Sequence, residues 1–358
     1  GPAQPTTGGS RGRFKPLASL RRLGKRLVYA CTMGTHYPTD VEIAIIGGAA
    51  ILTAFCIWRA RFQICDWSPS APFHWERKRA AMAALTANDV MVITDFDATI
   101  TTGDSEQCHD LVGGSSLLSN EFRKEFAPLL DWTTNANIDG VPWWDAAHEL
   151  MIKHGMPPRA LIPRLVREAK MVPRPGALEL LKSLEQHNVP VLIVSAGLSD
   201  VIEEFLRQHG ALSENVVICS NRLNYDADVA PKSVSPAPPI TSFTKEYAYQ
   251  SASSFFNKHK ARRGIIQLGD SLTDVDPAKK VPYDHLISIG FLNARPDGRK
   301  HGDAFDAVVL GNEGSVQPVA DLIEDIVSTK DGVSAAFKRA LSLGSMSNRS
   351  KSIQREGA

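Results

Sequence analysis

Apolar residues along this chain gather in short runs, and between the runs they recur every three or four positions. The runs at 90–94, 189–194, 216–219, 264–268, 286–289 and 307–310 read as strands. The stretches at 177–187, 200–209 and 316–327 read as amphipathic helices, and a more polar helix is expected at 75–87, ahead of the first strand. Strands alternating with helices predict an α/β fold, an open, doubly wound parallel sheet, and such sheets bind ligands beyond the carboxyl ends of their strands.

Roughly 95 residues separate the first strand from the second, far more than a parallel crossover needs. An inserted domain is therefore expected at 105–171, a helical cap with helices at 105–130, 143–154 and 158–170. The core would comprise 75–104 and 172–330. Within it, 230–239 carries Pro231, Pro236, Pro238 and Pro239 and reads as an irregular loop, while the polar tail 331–358 reads as disordered.

Composition changes the picture mainly at the N-terminus. With 43% hydrophobic and 22% charged residues over 358 positions the chain is that of an ordinary globular enzyme. Its net charge of +1 conceals a basic arm at 1–40, where Arg11, Arg13, Lys15, Arg21, Arg22, Lys25 and Arg26 precede the first acidic residue, Asp40. That arm reads as a targeting sequence or a disordered extension, which points to the cytoplasm or an organelle such as the mitochondrion. In the following hydrophobic segment, 41–61, residues 43–58 carry no charge. This length suits either a membrane anchor or a buried helix, and basic residues on both sides leave its orientation unread. The rest of the chain shows no basic face, so nucleic acid is not an expected partner. Five scattered cysteines form neither a disulfide framework nor a zinc pattern.

The candidate chemistry lies at strand ends. The first strand runs out into Asp95-Phe96-Asp97, two carboxylates one residue apart, and clustered like charges invite a cation. Alone, Asp-x-Asp is often only a polar turn. Three further elements strengthen the reading. Ser195-Ala196-Gly197 offers a hydroxyl and unhindered amides before a helix, as phosphate requires. Lys245 opens a helix, and Gly269-Asp270-Ser271-Leu272-Thr273-Asp274 adds two carboxylates suited to a hard, oxygen-loving ion. Asp95 is then the nucleophile toward phosphorus, forming an aspartyl phosphate. Asp97 protonates the leaving alkoxide and later activates water. Magnesium falls to Asp95, the Asp97 carbonyl and Asp270, with Asp274 touching the ion or one step behind it. Ser195 and Lys245 hold the phosphoryl oxygens.

At these residues the chain resembles the haloacid dehalogenase superfamily. From Trp75 to about Val327 it is similar to the cytosolic pyrimidine 5′-nucleotidase family in particular. Supporting stretches are Val92-Ile93-Thr94-Asp95-Phe96-Asp97, Cys108-His109, Ser195-Ala196-Gly197 with Asp200-Val201-Ile202-Glu203-Glu204, Asn215-Val216-Val217 with Ser220-Asn221, Phe243-Thr244-Lys245, and Ile289-Gly290-Phe291-Leu292-Asn293. The resemblance implies Asp95 as nucleophile, Asp97 as acid, Ser195, Ala196 and Lys245 on the phosphate, and Asp270 on magnesium. It implies a nucleoside monophosphate as substrate. The cap departs from the family. A Tyr-rich stretch ending in a base-reading glutamate is replaced by Trp132-Thr133-Thr134-Asn135-Ala136-Asn137-Ile138-Asp139, the serine before a His-Gly pair is Lys153, and a late glycine is Thr273. Asn135 and Asn137, with Trp144 and His148, are the candidates for base contact. Two other functions compete: a phosphatase for a different small phosphomonoester, and a catalytically idle subunit tethered through 43–58. The intact carboxylate cluster speaks against the second.

Overall fold

The computed structural model describes residues 67–328 apart from 131–136, 139–140, 228 and 294–297. The basic arm, the apolar segment 43–58 and the tail 331–358 lie outside the described residues. Among the described residues no helix is long and apolar enough to cross a membrane.

Along the chain run β1 (Trp67–Pro69), α1 (Pro72–Ala83), β2 (Val90–Thr94), α2 (Cys108–Gly114), α3 (Asn120–Phe126), β3 (Asn137–Ile138), β4 (Val141–Pro142), α4 (Trp143–His154), α5 (Ile162–Glu168) and α6 (Ala177–Gln186). There follow β5 (Val191–Leu198), α7 (Ser199–Gln208), β6 (Val216–Asp226), β7 (Ala230–Ser235), α8 (Ala248–Ser251), α9 (Ser253–Lys258), β8 (Gly264–Gly269), α10 (Asp276–Lys279), β9 (His285–Leu292), α11 (Gly298–Ala304), β10 (Ala307–Leu310) and α12 (Gln317–Ser328).

Eight strands form one sheet in the order β1-β10-β9-β8-β2-β5-β6-β7. The six from β10 to β6 are parallel, and β1 and β7 close the two edges antiparallel to their neighbours. All five residues of β2 are buried, as a central strand covered on both faces requires. Successive side chains point to opposite faces. Val90 and Val92 join a large core with α2 to α7, while Met91 and Ile93 join a second core with Phe255 and Phe256 of α9. The helices between β2 and β5 share the first core, where Phe122, Phe126, Met151 and Leu165 belong to the same apolar cluster as Val92 and Phe96.

Three expectations need correction. The sheet begins at Trp67, ahead of the expected start at 75, and Trp75 is buried against Trp67. The helix expected over 105–130 is broken. Gly113-Gly114-Ser115 ends α2, and Ser119 caps α3 by accepting from the Phe122 N–H. A side chain at Gly113 would strike Phe126, at 2.2 Å, so the glycine lets α3 fold back onto α2. Finally, 230–235 is not a loop but β7. Proline is tolerated there because an edge strand has one face of its backbone without a sheet partner, and the register shifts at Tyr225, which faces Pro231.

Candidate active site

Asp95 leaves β2 with its backbone N–H still bonded to Leu268 O of β8, so the sheet itself fixes the carboxylate at the strand exit. The neighbouring exit, from β8, delivers Asp270 and Asp274. One carboxylate oxygen from each of Asp95, Asp270 and Asp274 lies within 4.8 Å of the others, and all three residues are buried. Asp274 comes this close because Gly269 has no side chain: a Cβ there would sit 2.1 Å from that of Asp274. The Ser271 N–H donates to Asp274 Oδ2 at 2.7 Å and holds the turn. His301 Nε2 donates to Asp270 O at 2.8 Å from α11, a support with no motif to announce it.

Lys245 answers this negative charge. Its ammonium is buried, 2.8 Å from Asp95 Oδ1 and 2.6 Å from Asp274 Oδ1. Burial alone would lower its pKa, but the two carboxylates hold it well above the ordinary value. Burial pushes the Asp95 pKa up, with Asp274 and Asp270 adding to the rise and Lys245 opposing it. Burial likewise raises the Asp97 pKa to about 7, against hydrogen bonds from Cys108. The Cys108 N–H, at the start of α2, donates to Asp97 Oδ1 at 3.2 Å, and its thiol lies 3.5 Å from the same oxygen.

Ser195, Ala196 and Gly197 occupy an irregularity of β5, where the register against β6 shifts between Val194 and Leu198. The shift releases this stretch from the ladder. Ser195 Oγ accepts from the Gly197 N–H at 3.0 Å, Ser220 donates to Gly197 O, and Asn221 donates to Ala196 O at 2.9 Å. A Cβ on Gly197 would lie 2.7 Å from Cys108 Sγ and 2.9 Å from Asp97 Oδ2, so the segment passes directly beside Asp97. Trp144, at the start of α4, donates through Nε1 to Ala196 O at 3.3 Å. Its ring meets Phe243 edge-on at 6.2 Å, and Phe243 is 79% exposed.

The structure thus brings Asp95, Asp270, Asp274 and Lys245 together, and places Ser195, Ala196 and Gly197 beside Asp97. Of the base-contact candidates, Trp144 is brought to this segment through its bond to Ala196 O. Asn135 lies outside the described residues, and of Asn137 only its place on β3 is described. His148 is buried, its Nε2 3.3 Å from His109 Nε2. Lys153 pairs with Glu125 on an exposed flank, and Thr273 donates to Ser242 O at 2.5 Å.

A doubly wound sheet with these carboxylates at adjacent strand exits defines a phosphoric monoester hydrolase of the haloacid dehalogenase fold. The profile of the pyrimidine 5′-nucleotidase (UMPH-1) family matches residues 105–327, and the chain belongs to that family. Among relatives, the 7-methylguanosine phosphate-specific 5′-nucleotidase of Gallus gallus is 30% identical over 243 residues, 63% of this chain and 83% of the relative. The protein of that name from Homo sapiens is 28% identical over 66% of this chain and 85% of its own length. A crystal structure of cytosolic 5′-nucleotidase IIIB bound to cytidine shares the fold. It superposes with a TM-score of 0.62 at 23% identity, covering 73% of this chain and 93% of that one.

Proposed function

We propose that this chain is a magnesium-dependent 5′-nucleotidase that hydrolyses nucleoside 5′-monophosphates through an aspartyl phosphate on Asp95. The observation that carries the reading is the buried cluster of Asp95, Asp270 and Asp274 with Lys245 between Asp95 and Asp274. Three carboxylates facing one lysine leave an excess of negative charge, with only oxygen donors, where an anionic substrate must enter. That donor set fits a hard divalent cation. Asp95, Asp270 and the Asp97 carbonyl would hold it, with Asp274 beside them, and when bound it supplies charge that offsets repulsion between carboxylate and phosphate.

The remaining steps belong to the side chains. Asp95 attacks phosphorus in line, and the bond from phosphorus to the nucleoside 5′-oxygen breaks. Asp97 gives its proton to that departing oxygen, then takes one from the water that attacks the acyl phosphate and regenerates Asp95. The Ser195 hydroxyl, the amides that follow it and the Lys245 ammonium hold phosphoryl oxygens as their charge shifts. Trp144 and Phe243 pair edge-on, and Trp144 is tied to the phosphate segment through Ala196 O. A base stacked there would draw on about 1–3 kcal/mol by analogy with other base–aromatic stacks.

The test is phosphate release from a panel of nucleoside 5′-monophosphates with and without a chelator. Turnover that stops on chelation and returns with magnesium is expected. Undiminished turnover in excess chelator would overturn the metal assignment, and inactivity toward every nucleotide alongside hydrolysis of other phosphomonoesters would overturn the substrate class.

A further inference from the structure

Arg174, between the cap helices and α6, is the largest side chain among the described residues that is almost fully buried, 1% exposed. Every one of its five N–H groups has an acceptor. Nε donates to Thr99 O at 2.8 Å, Nη1 to Gly314 O at 2.8 Å and Asn312 O at 3.3 Å, and Nη2 to Ala98 O at 2.7 Å and Asn293 Oδ1 at 2.9 Å. The guanidinium also lies over the Phe291 ring, 4.3 Å from its centroid. The acceptors are four backbone carbonyls and one side-chain amide, drawn from three separate segments. A planar fork of five donors serves this geometry and a lysine does not.

Two of those carbonyls, on Ala98 and Thr99, belong to the turn that directly follows Asp97. Ala98 has φ +58°, a left-handed conformation that costs a residue with a Cβ on the order of 1–2 kcal/mol. The turn is held there by a dense set of contacts. Ala98 O accepts a second bond from Asn293 Nδ2 at 3.0 Å, and the Ala98 N–H donates to Thr101 Oγ1 at 2.9 Å. The peptide joining Asp97 to Ala98 therefore cannot rotate without breaking the Ala98 N–H bond to Thr101, and the peptide joining Ala98 to Thr99 cannot rotate without breaking those of Ala98 O to Arg174 and Asn293.

We infer that Arg174 is a positioning residue for Asp97: by clamping the Ala98 and Thr99 carbonyls it fixes the left-handed turn that aims the Asp97 carboxyl at the leaving group. The inference rests on the reading of Asp97 as the acid, and goes beyond it by assigning the aim of that acid to a residue remote in sequence. Misaiming the acid harms substrates whose leaving oxygen needs a proton. It spares the first chemical step on a substrate whose leaving group departs as an anion.

The experiment compares a nucleoside 5′-monophosphate with 4-nitrophenyl phosphate at saturating magnesium, in wild type, Arg174→Lys and an Asp97→Asn control. For Arg174→Lys, kcat on the nucleotide should fall about 100-fold with KM nearly unchanged, while the rate of the first nitrophenolate burst falls less than about threefold. Equal losses on both substrates would show a merely structural residue and overturn the inference. Asp97→Asn should show the same split more strongly. Without it, the acid assignment itself falls, and the positioning role with it. If Arg174→Lys does not accumulate as folded protein, Asn293→Ala removes the second donor to the Ala98 carbonyl and the same split is expected in smaller degree. Its absence in a folded Asn293→Ala enzyme would likewise overturn the inference.

Discussion

The Lys245 ammonium sits 2.8 Å from Asp95 Oδ1 with both side chains almost wholly out of solvent. Desolvation on this scale is tolerable only while the charges stay paired. Lys245→Met should lower stability by about 3–5 kcal/mol in metal-free buffer, because Asp95 and Asp274 would then face each other uncompensated. Denaturant unfolding in a chelator measures this. A variant as stable as wild type would mean that one of the carboxylates is held protonated.

Asp95→Asn keeps the shape of the side chain and removes the nucleophile. Turnover should drop below detection, whereas the melting temperature should shift by no more than about 5 °C, since a buried charge is lost together with its attraction to Lys245. Phosphate-release kinetics and a thermal melt check the two halves separately.

Gly197→Ala places a methyl group 2.7 Å from Cys108 Sγ and 2.9 Å from Asp97 Oδ2. Something must move, and the neighbours are an acid and the start of α2. We expect kcat to fall at least about tenfold and stability by about 1–3 kcal/mol. Conservation of both values would show that α2 shifts freely.

Acid should loosen the packing of α2 against α4 through their buried histidines. The two Nε2 atoms of His109 and His148 are 3.3 Å apart, a distance that suits one shared proton and not two. Burial lowers the His148 pKa to about 4 and, with His148 beside it, lowers that of His109 well below the usual value. The unfolded chain, with an ordinary value near 6.5, then binds protons more readily than the folded one. Stability is fully present above about pH 6.5 and declines as pH falls toward 4, by about 3 kcal/mol for His148 alone. Chemical unfolding at a series of pH values should show this slope, and His148→Phe should flatten it.

How much of this was legible in the sequence depended on whether a residue's role is local. β2 and Asp95 could be read because a buried parallel strand is a continuous apolar run and its exit is the next polar residue. The same holds for Ser195, Lys245, Asp270 and Asp274, each adjacent to an apolar run or a helix start. β7 was missed because four prolines within ten residues outweigh a weak strand pattern, and only the pairing with β6 makes the edge position visible. Arg174 left no local signal at all: it stands between two prolines, and its five acceptors come from residues 98–99, 293 and 312–314. Cys108 stood out as part of a shared stretch, but its contact with Asp97 follows from tertiary approach.

The two edges of the sheet have a consequence for the protein in a crowded solution. Unpaired strand edges are templates on which other chains can polymerise. One edge here is β1, three residues long and ending in Pro69, and the other is β7, interrupted by Pro231 and carrying the 65%-exposed Lys232 close to its start. Among the described residues, neither offers an uninterrupted run of strand donors long enough to recruit a passing strand. A short edge and a proline-interrupted one give an incoming strand little to pair with, which counts against edge-to-edge growth of the sheet.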